Sequence, residues 1–208
     1  MSSRQEILDQ VSTIVRQRMA GQQAGHGIDH LLRVRKTAKE IQAEVGGDAF
    51  VVELAAWLHD IGDAKFFNGV ERSAEFSREI LADLDQPAEI IEHVAFIVDN
   101  ISFRKGSSAK ELSLEGKIVQ DADRLDALGA IGIVRTIEYG ATVGQPFHVS
   151  DRNDSQKTGV GHFHEKLFKL RDLLNTAPAR RIAGQRELFM QTFLDQFFDE
   201  CGETESKN

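Results

Sequence analysis

The chain is poor in proline (3 in 208 residues) and carries one cysteine, one tryptophan and one tyrosine. Cys201 has no partner for an intramolecular disulfide, and neither CxxC nor zinc-finger spacing occurs, so a disulfide scaffold and a thiolate zinc site are both excluded. No stretch approaches the roughly 18 apolar residues that span a bilayer, and the N-terminal Met1-Ser-Ser-Arg-Gln-Glu6 lacks an apolar signal core. These absences predict a cytoplasmic protein with no membrane partner. Basic runs are missing too. The 25 Lys and Arg residues are scattered among 33 Asp and Glu, and the net charge of −8 argues against a nucleic-acid polymer as partner. A small phosphorylated substrate stays compatible, because a local site can be cationic inside an acidic protein. No GxSxG elbow occurs, and Gly116-Lys117 lacks P-loop glycine spacing.

What is present is helical periodicity. Apolar content of 41% with 28% charged residues suits a soluble globular body, and the length suits one domain, expected over 1–202, with a disordered tail at 203–208. Ile7, Val11, Ile14, Val15 and Arg18 share a helix face; Leu31, Val34, Ala38, Ile41 and Val45 define a helix from about 28 to 45 ending at Gly46-Gly47. Asp48 is a suitable N-cap for a helix that is apolar around most of its surface, the pattern of a central buried element. Ser73 is expected to cap a helix through about Leu84, and Pro87 to open the next. A long helix is expected from Ser113 or Leu114 to about Tyr139, with Gly129 and Gly132 admitting a neighbouring helix. The Gly140–Gly161 stretch is expected as a loop of the kind that often forms a lid. Helices are then expected from His164 to Leu174 and from Pro178 to about Glu200, burying Ile182, Phe189, Phe193 and Phe197. The expected fold is a single all-α domain of about eight to ten helices.

The chemistry concentrates at the end of the apolar helix, in Leu58-His59-Asp60-Ile-Gly-Asp63. Two ionisable side chains beside a core need compensation; a divalent cation is the most economical one, and the plainer reading of the pair alone is a capped helix end with a local ion pair. If the helix continues to Asp63, residues advancing by about 100° each place His59, Asp60 and Asp63 within one quadrant. His30 lies at the margin of the Leu31–Val45 stripe. Downstream, Gln120-Asp121-Ala-Asp123-Arg-Leu-Asp126 offers Asp123 and Asp126 one turn apart, and geometry does not choose between them. Two histidines and two aspartates make a fairly hard ligand set suited to an octahedral ion with open positions: Mn²⁺, with Mg²⁺, Fe²⁺, Ni²⁺ or Co²⁺ as alternatives.

The combination resembles the HD-domain phosphohydrolase superfamily, whose pattern is H…HD…D. The resemblance is carried by Gly27-Ile-Asp29-His30-Leu-Leu-Arg33-Val34, by Leu58–Asp63 and by Gln120–Ala130, and it extends from about Arg16 to Glu200. Within the superfamily the chain is similar to a small bacterial stand-alone branch, which also shows the His162-Phe-His-Glu-Lys-Leu and Arg180-Arg-Ile-Ala segments. The resemblance implies a helical HD fold with its metal-binding core at about 26–130 and a C-terminal helical part at about 160–200. It implies one metal held by His30, His59, Asp60 and Asp123, which selects Asp123 over Asp126. It also implies hydrolysis of phosphate esters or anhydrides, with some members of the branch releasing pyrophosphate from nucleoside triphosphates. The alternative is a nucleotide-sensing or partner-binding HD module without turnover. A monomer or a homodimer is compatible with the sequence.

Asp63 is the candidate to orient or deprotonate water; its competing role is a turn aspartate after Gly62. Lys65, His26, Arg18 and Arg33 are candidate substrate contacts, since phosphate oxygens need cations and donors. The plainer readings are a solvated loop lysine, a local hydrogen bond, a snorkelling arginine and a carboxylate ion pair, respectively. His162, His164 and Lys166 read either as lid residues or as a polar helix start. His93 is expected as a satisfied histidine at the core edge, and His148 as exposed loop.

Overall fold

A computed structural model describes residues 2–20, 27–101, 110–150 and 157–203. Among these residues there are nine α-helices and no strand, as the periodicity predicts. None of the described helices is long and apolar enough to cross a membrane. The chain divides into two compact units, 1–123 and 124–208.

The first unit is built around α3 (Ala49–Leu58), which packs against α1 (Arg4–Arg18), α2 (Ile28–Val45), α4 (Ser73–Asp83) and α5 (Ala88–Asn100). Every residue of α3 from Phe50 to Leu58 is buried. At about 1.5–3 kcal/mol for each buried Val, Leu or Phe side chain, this short helix contributes much of the unit's hydrophobic stabilisation. Asp48 caps it, accepting the Phe50 amide at 2.9 Å. Glu53 is its one charge, and it is offset twice: Arg35 Nε donates to Oε2 at 2.7 Å, and Lys39 Nζ lies 3.2 Å from Oε1. The α2 stripe is buried at Leu31, Val34, Ala38 and Ile41 as expected, and Gly46, at φ 85°, ends the helix. A capping box opens α1, with Ser3 Oγ accepting the Glu6 amide and Glu6 Oε2 accepting the Ser3 amide. Ser73 is the first residue of α4 and makes no capping bond, contrary to the expectation.

The long helix expected through Tyr139 is two. The first, α6 (Leu114–Leu125), ends in a turn in which Ala127 N–H donates to Arg124 O and Leu128 N–H to Leu125 O; α7 (Gly129–Val143) follows. The apolar period runs on across this turn, which is why periodicity alone missed it. Gly129 stands at φ 75°, a region that favours glycine. A Cβ on Gly132 would lie 2.2 Å from the Ala127 carbonyl oxygen, so this glycine serves the turn rather than a neighbouring helix. Gly132→Ala is expected to lower stability by about 1–3 kcal/mol; urea unfolding of the variant beside wild type measures it.

In the second unit α7 runs to Val143 and α8 spans Gly159–Glu165, so both ends of the expected Gly140–Gly161 loop are helical; residues 151–156 lie outside the described residues. The segment expected as a helix to Leu174 is instead the end of α8 followed by two 3-10 turns, Leu167–Lys169 and Arg171–Leu173. The last helix, α9 (Ala177–Cys201), is capped by Thr176 and buries Ala179, Ala183, Met190, Leu194 and Phe198. Phe189, expected inside, is exposed. Phe193 and Phe197 are half-buried against Phe147, which meets both rings edge-on at 6.0 and 5.2 Å. His148 is not exposed loop either: its Nε2 lies 2.9 Å from Glu203 Oε2, and its ring packs on Phe197 and Phe198.

Candidate metal centre

Four of the residues singled out by sequence converge in the first unit. His30 sits in the first turn of α2 and His59 just beyond the end of α3, and their Nε2 atoms are 3.2 Å apart. Asp60 Oδ2 lies 3.4 Å from His30 Nε2 and 3.6 Å from His59 Nε2. Asp123, on α6, brings Oδ1 to 3.4 Å from His30 Nε2 and 3.9 Å from His59 Nε2. The start of α6 is anchored by Glu115, whose Oε1 accepts the Asp48 amide at 3.0 Å, and Asp123 follows about two helical turns later. Both histidines are buried, and the two carboxylates are partly open. The helix-wheel argument for Asp60 and Asp63 does not hold, because α3 stops at Leu58 and residues 59–62 form a turn. The turn itself brings Asp60 to the histidines.

The donor chemistry fits a divalent cation. His59 Nδ1 lies 3.0 Å from the Ala56 carbonyl oxygen. A carbonyl only accepts, so Nδ1 carries the hydrogen, and neutral His59 presents a lone pair at Nε2. That lone pair faces the carboxylate oxygens of Asp60 and Asp123 with no hydrogen of its own to offer. Acceptors converging in this way are stabilised by a cation among them. An octahedral ion with bonds of about 2.1 Å sets adjacent ligands about 3 Å apart, close to the spacing seen. His30, His59 and Asp60 place one ligand atom each within 4.8 Å of one another. Burial alone would raise the Asp123 carboxyl, but without a metal the His30 hydrogen bond, and the charges that His59 and His30 carry when protonated, hold it below its ordinary value.

Asp126, the competing aspartate, is buried and engaged by Arg135 Nη1. Asp63 is buried, and its Oδ1 accepts the Lys65 amide at 2.8 Å, capping the 3-10 turn Ala64–Phe66. Lys65 is exposed. Arg18 is exposed with its guanidinium 5.3 Å from the Phe76 ring centroid, and Arg33 is half-buried. His26 lies outside the described residues. His93 is bonded through Nε2 to Ser113 Oγ at 2.9 Å, the satisfied core-edge histidine that was expected. In the second unit, burial and then Lys166 push the His162 imidazole below its ordinary value.

Sequence reasoning missed the segment that returns to the HD turn. Gly62 N–H donates to Ser73 Oγ at 3.0 Å, and Gly62 O accepts the Arg72 amide at 2.9 Å. A Cβ on Gly62 would lie 2.6 Å from the Arg72 carbonyl carbon and the Ser73 nitrogen, so glycine is required here by close approach. No periodicity signals such a contact, because it depends on the path of the intervening loop.

The HD domain family model matches residues 27–128, a span that contains all four converging residues. YpgQ of Bacillus subtilis is 36% identical over 190 residues, covering 90% of each chain. An HD-superfamily hydrolase of Bacillus thuringiensis superposes with a TM-score of 0.82 at 36% identity, covering 97% of this chain and 100% of that one. The structure of Bacillus subtilis YpgQ in complex with ADP superposes with a TM-score of 0.78 at 33% identity, covering 95% and 96%. The similarity spans both compact units, as the sequence motifs predicted, and the chain belongs to the HD-domain family, with the fold of an HD-superfamily hydrolase.

Proposed function

We propose that the protein is a metal-dependent phosphohydrolase acting on a nucleotide, with His30, His59, Asp60 and Asp123 as ligands of one divalent ion, Mn²⁺ by preference. The observation that carries this reading is the convergence of His59 Nε2, fixed as a lone pair, with His30 Nε2 and two carboxylates. The ADP held by YpgQ supports a nucleotide as ligand. A divalent ion among these residues supplies charge that polarises a phosphoryl oxygen and acidifies water. Asp63 orients the attacking water and takes its proton as the oxygen bonds to phosphorus and the P–O bond to the leaving group breaks. Lys65, Arg18, Arg33 and His26 are the chain's candidates for holding the phosphate oxygens, where cations and hydrogen-bond donors offset developing charge. The domain is read as one functional piece over 1–202.

The test is incubation of Mn²⁺-loaded protein with nucleoside mono-, di- and triphosphates and simple phosphomonoesters, with phosphate and pyrophosphate quantified separately. Nucleoside triphosphate turnover with release of pyrophosphate is expected. Tight nucleotide binding without turnover of any compound would overturn the enzyme reading in favour of a sensor.

A further inference from the structure

We infer that Glu71 and Ser73 are positioning residues, a clamp that holds the turn between Asp60 and Asp63 in its working geometry. The inference rests on the proposed roles of those two aspartates. Three consecutive peptide groups lead from Ile61 to Ala64, the last two flanking Asp63, and each is bonded to the 71–73 segment. The Gly62 amide donates to Ser73 Oγ at 3.0 Å, the Gly62 carbonyl accepts from Arg72 N–H at 2.9 Å, and the Ala64 amide donates to Glu71 Oε2 at 3.3 Å. The Asp63 amide itself turns back to the Asp60 carbonyl at 3.2 Å. The backbone that aims Asp63 is therefore tied on both sides.

The hydroxyl of Ser73 is committed. It has one hydrogen, and Glu71 Oε1 lies 2.6 Å away as its acceptor, so a lone pair is left facing the Gly62 amide. Glu71 Oε1 also accepts the Ser73 amide at 2.9 Å. One carboxylate thus gathers two donors from Ser73 and one from Ala64, and its charge strengthens all three bonds. Ser73 is 1% exposed, so losing its hydroxyl leaves the buried Gly62 amide without an acceptor. Glu71 is exposed, and altering it leaves the core intact. A glutamine there has one acceptor oxygen in place of two and cannot serve both Ala64 and Ser73. Small displacements of a group that must meet a water and a phosphorus atom are amplified in rate, by as much as about 100-fold for 1 Å.

The test compares Glu71→Gln, Ser73→Ala and Ser73→Thr with wild type by amide hydrogen exchange of peptides covering 59–66, by Mn²⁺ affinity and by steady-state kinetics. In the first two variants, faster exchange confined to that turn is expected, with kcat lowered about 10- to 100-fold and KM within threefold. Ser73→Thr, which keeps the hydroxyl, is expected to retain wild-type exchange and turnover within threefold. Unchanged exchange in Glu71→Gln overturns the clamp, and so does faster exchange with unchanged kcat. If wild type turns over no nucleotide, the proposed function fails, and the clamp is judged on its own. A tenfold weaker Mn²⁺ affinity with faster exchange then supports it, and wild-type affinity overturns it.

Discussion

His59→Ala is expected to weaken Mn²⁺ binding by at least about 100-fold, a larger loss than that caused by removing an outer partner of a metal ligand. The reason is local. The tautomer of His59 that leaves Nε2 available to a metal is selected by the fold, through the bond from Nδ1 to the Ala56 carbonyl. Loss of this side chain removes a nitrogen donor and opens a gap at a buried position. Thermal denaturation with and without metal reads the effect directly. A ligand at 100 times its dissociation constant stabilises the native state by about 2.7 kcal/mol, so wild type should melt at a distinctly higher temperature with Mn²⁺ than after chelation. The variant, gaining about 0.4 kcal/mol or less at the same metal concentration, should melt at nearly the same temperature in both. An equal Mn²⁺-dependent rise in the two proteins would remove His59 from the site.

Asp63→Asn is expected to lower kcat by about 10²- to 10⁴-fold, the range for losing a general base, while Mn²⁺ affinity and KM stay within about threefold of wild type. The substitution is nearly isosteric. The amide oxygen of asparagine still accepts the Lys65 amide, so the 3-10 turn after the HD pair keeps its cap. What disappears is the negative charge and the capacity to take a proton. Asp60→Asn, by contrast, is expected to lose metal and turnover together, because Asp60 Oδ2 faces both histidines. Separation of the two phenotypes distinguishes a water-handling aspartate from a ligand. If Asp63→Asn turned over at the wild-type rate, Asp63 would be a turn residue and no more.

The parts of this molecule that follow from side-chain spacing were legible in its sequence. The α2 stripe, the almost wholly apolar α3 and the Asp48 cap all appear where the pattern put them, because helix faces repeat every 3.6 residues and cap chemistry is local. His30, His59, Asp60 and the downstream aspartate pair were also legible as a set, since histidines and aspartates beside apolar stripes have few inexpensive uses. The choice between Asp123 and Asp126 was not legible from spacing. It came from family resemblance, and a physical reason lies in a contact nine residues away: Arg135 engages Asp126, while Asp123 reaches the histidines. Turns that interrupt an unbroken apolar period were likewise hidden. Neither the break after Leu125 nor the early end of α3 changes the hydrophobic pattern. The buried face of α9 lies one residue on from the expected one, at Met190, Leu194 and Phe198, and Phe147, from outside the helix, covers Phe193 and Phe197 only in part.

The central claim is that His30, His59, Asp60 and Asp123 hold a single divalent ion. An anomalous-difference map from crystals grown with Mn²⁺ tests it most directly. One peak per chain is predicted, about 2.0–2.3 Å from Nε2 of both histidines and from an oxygen of each aspartate. A peak elsewhere, or none at saturating Mn²⁺, would contradict it.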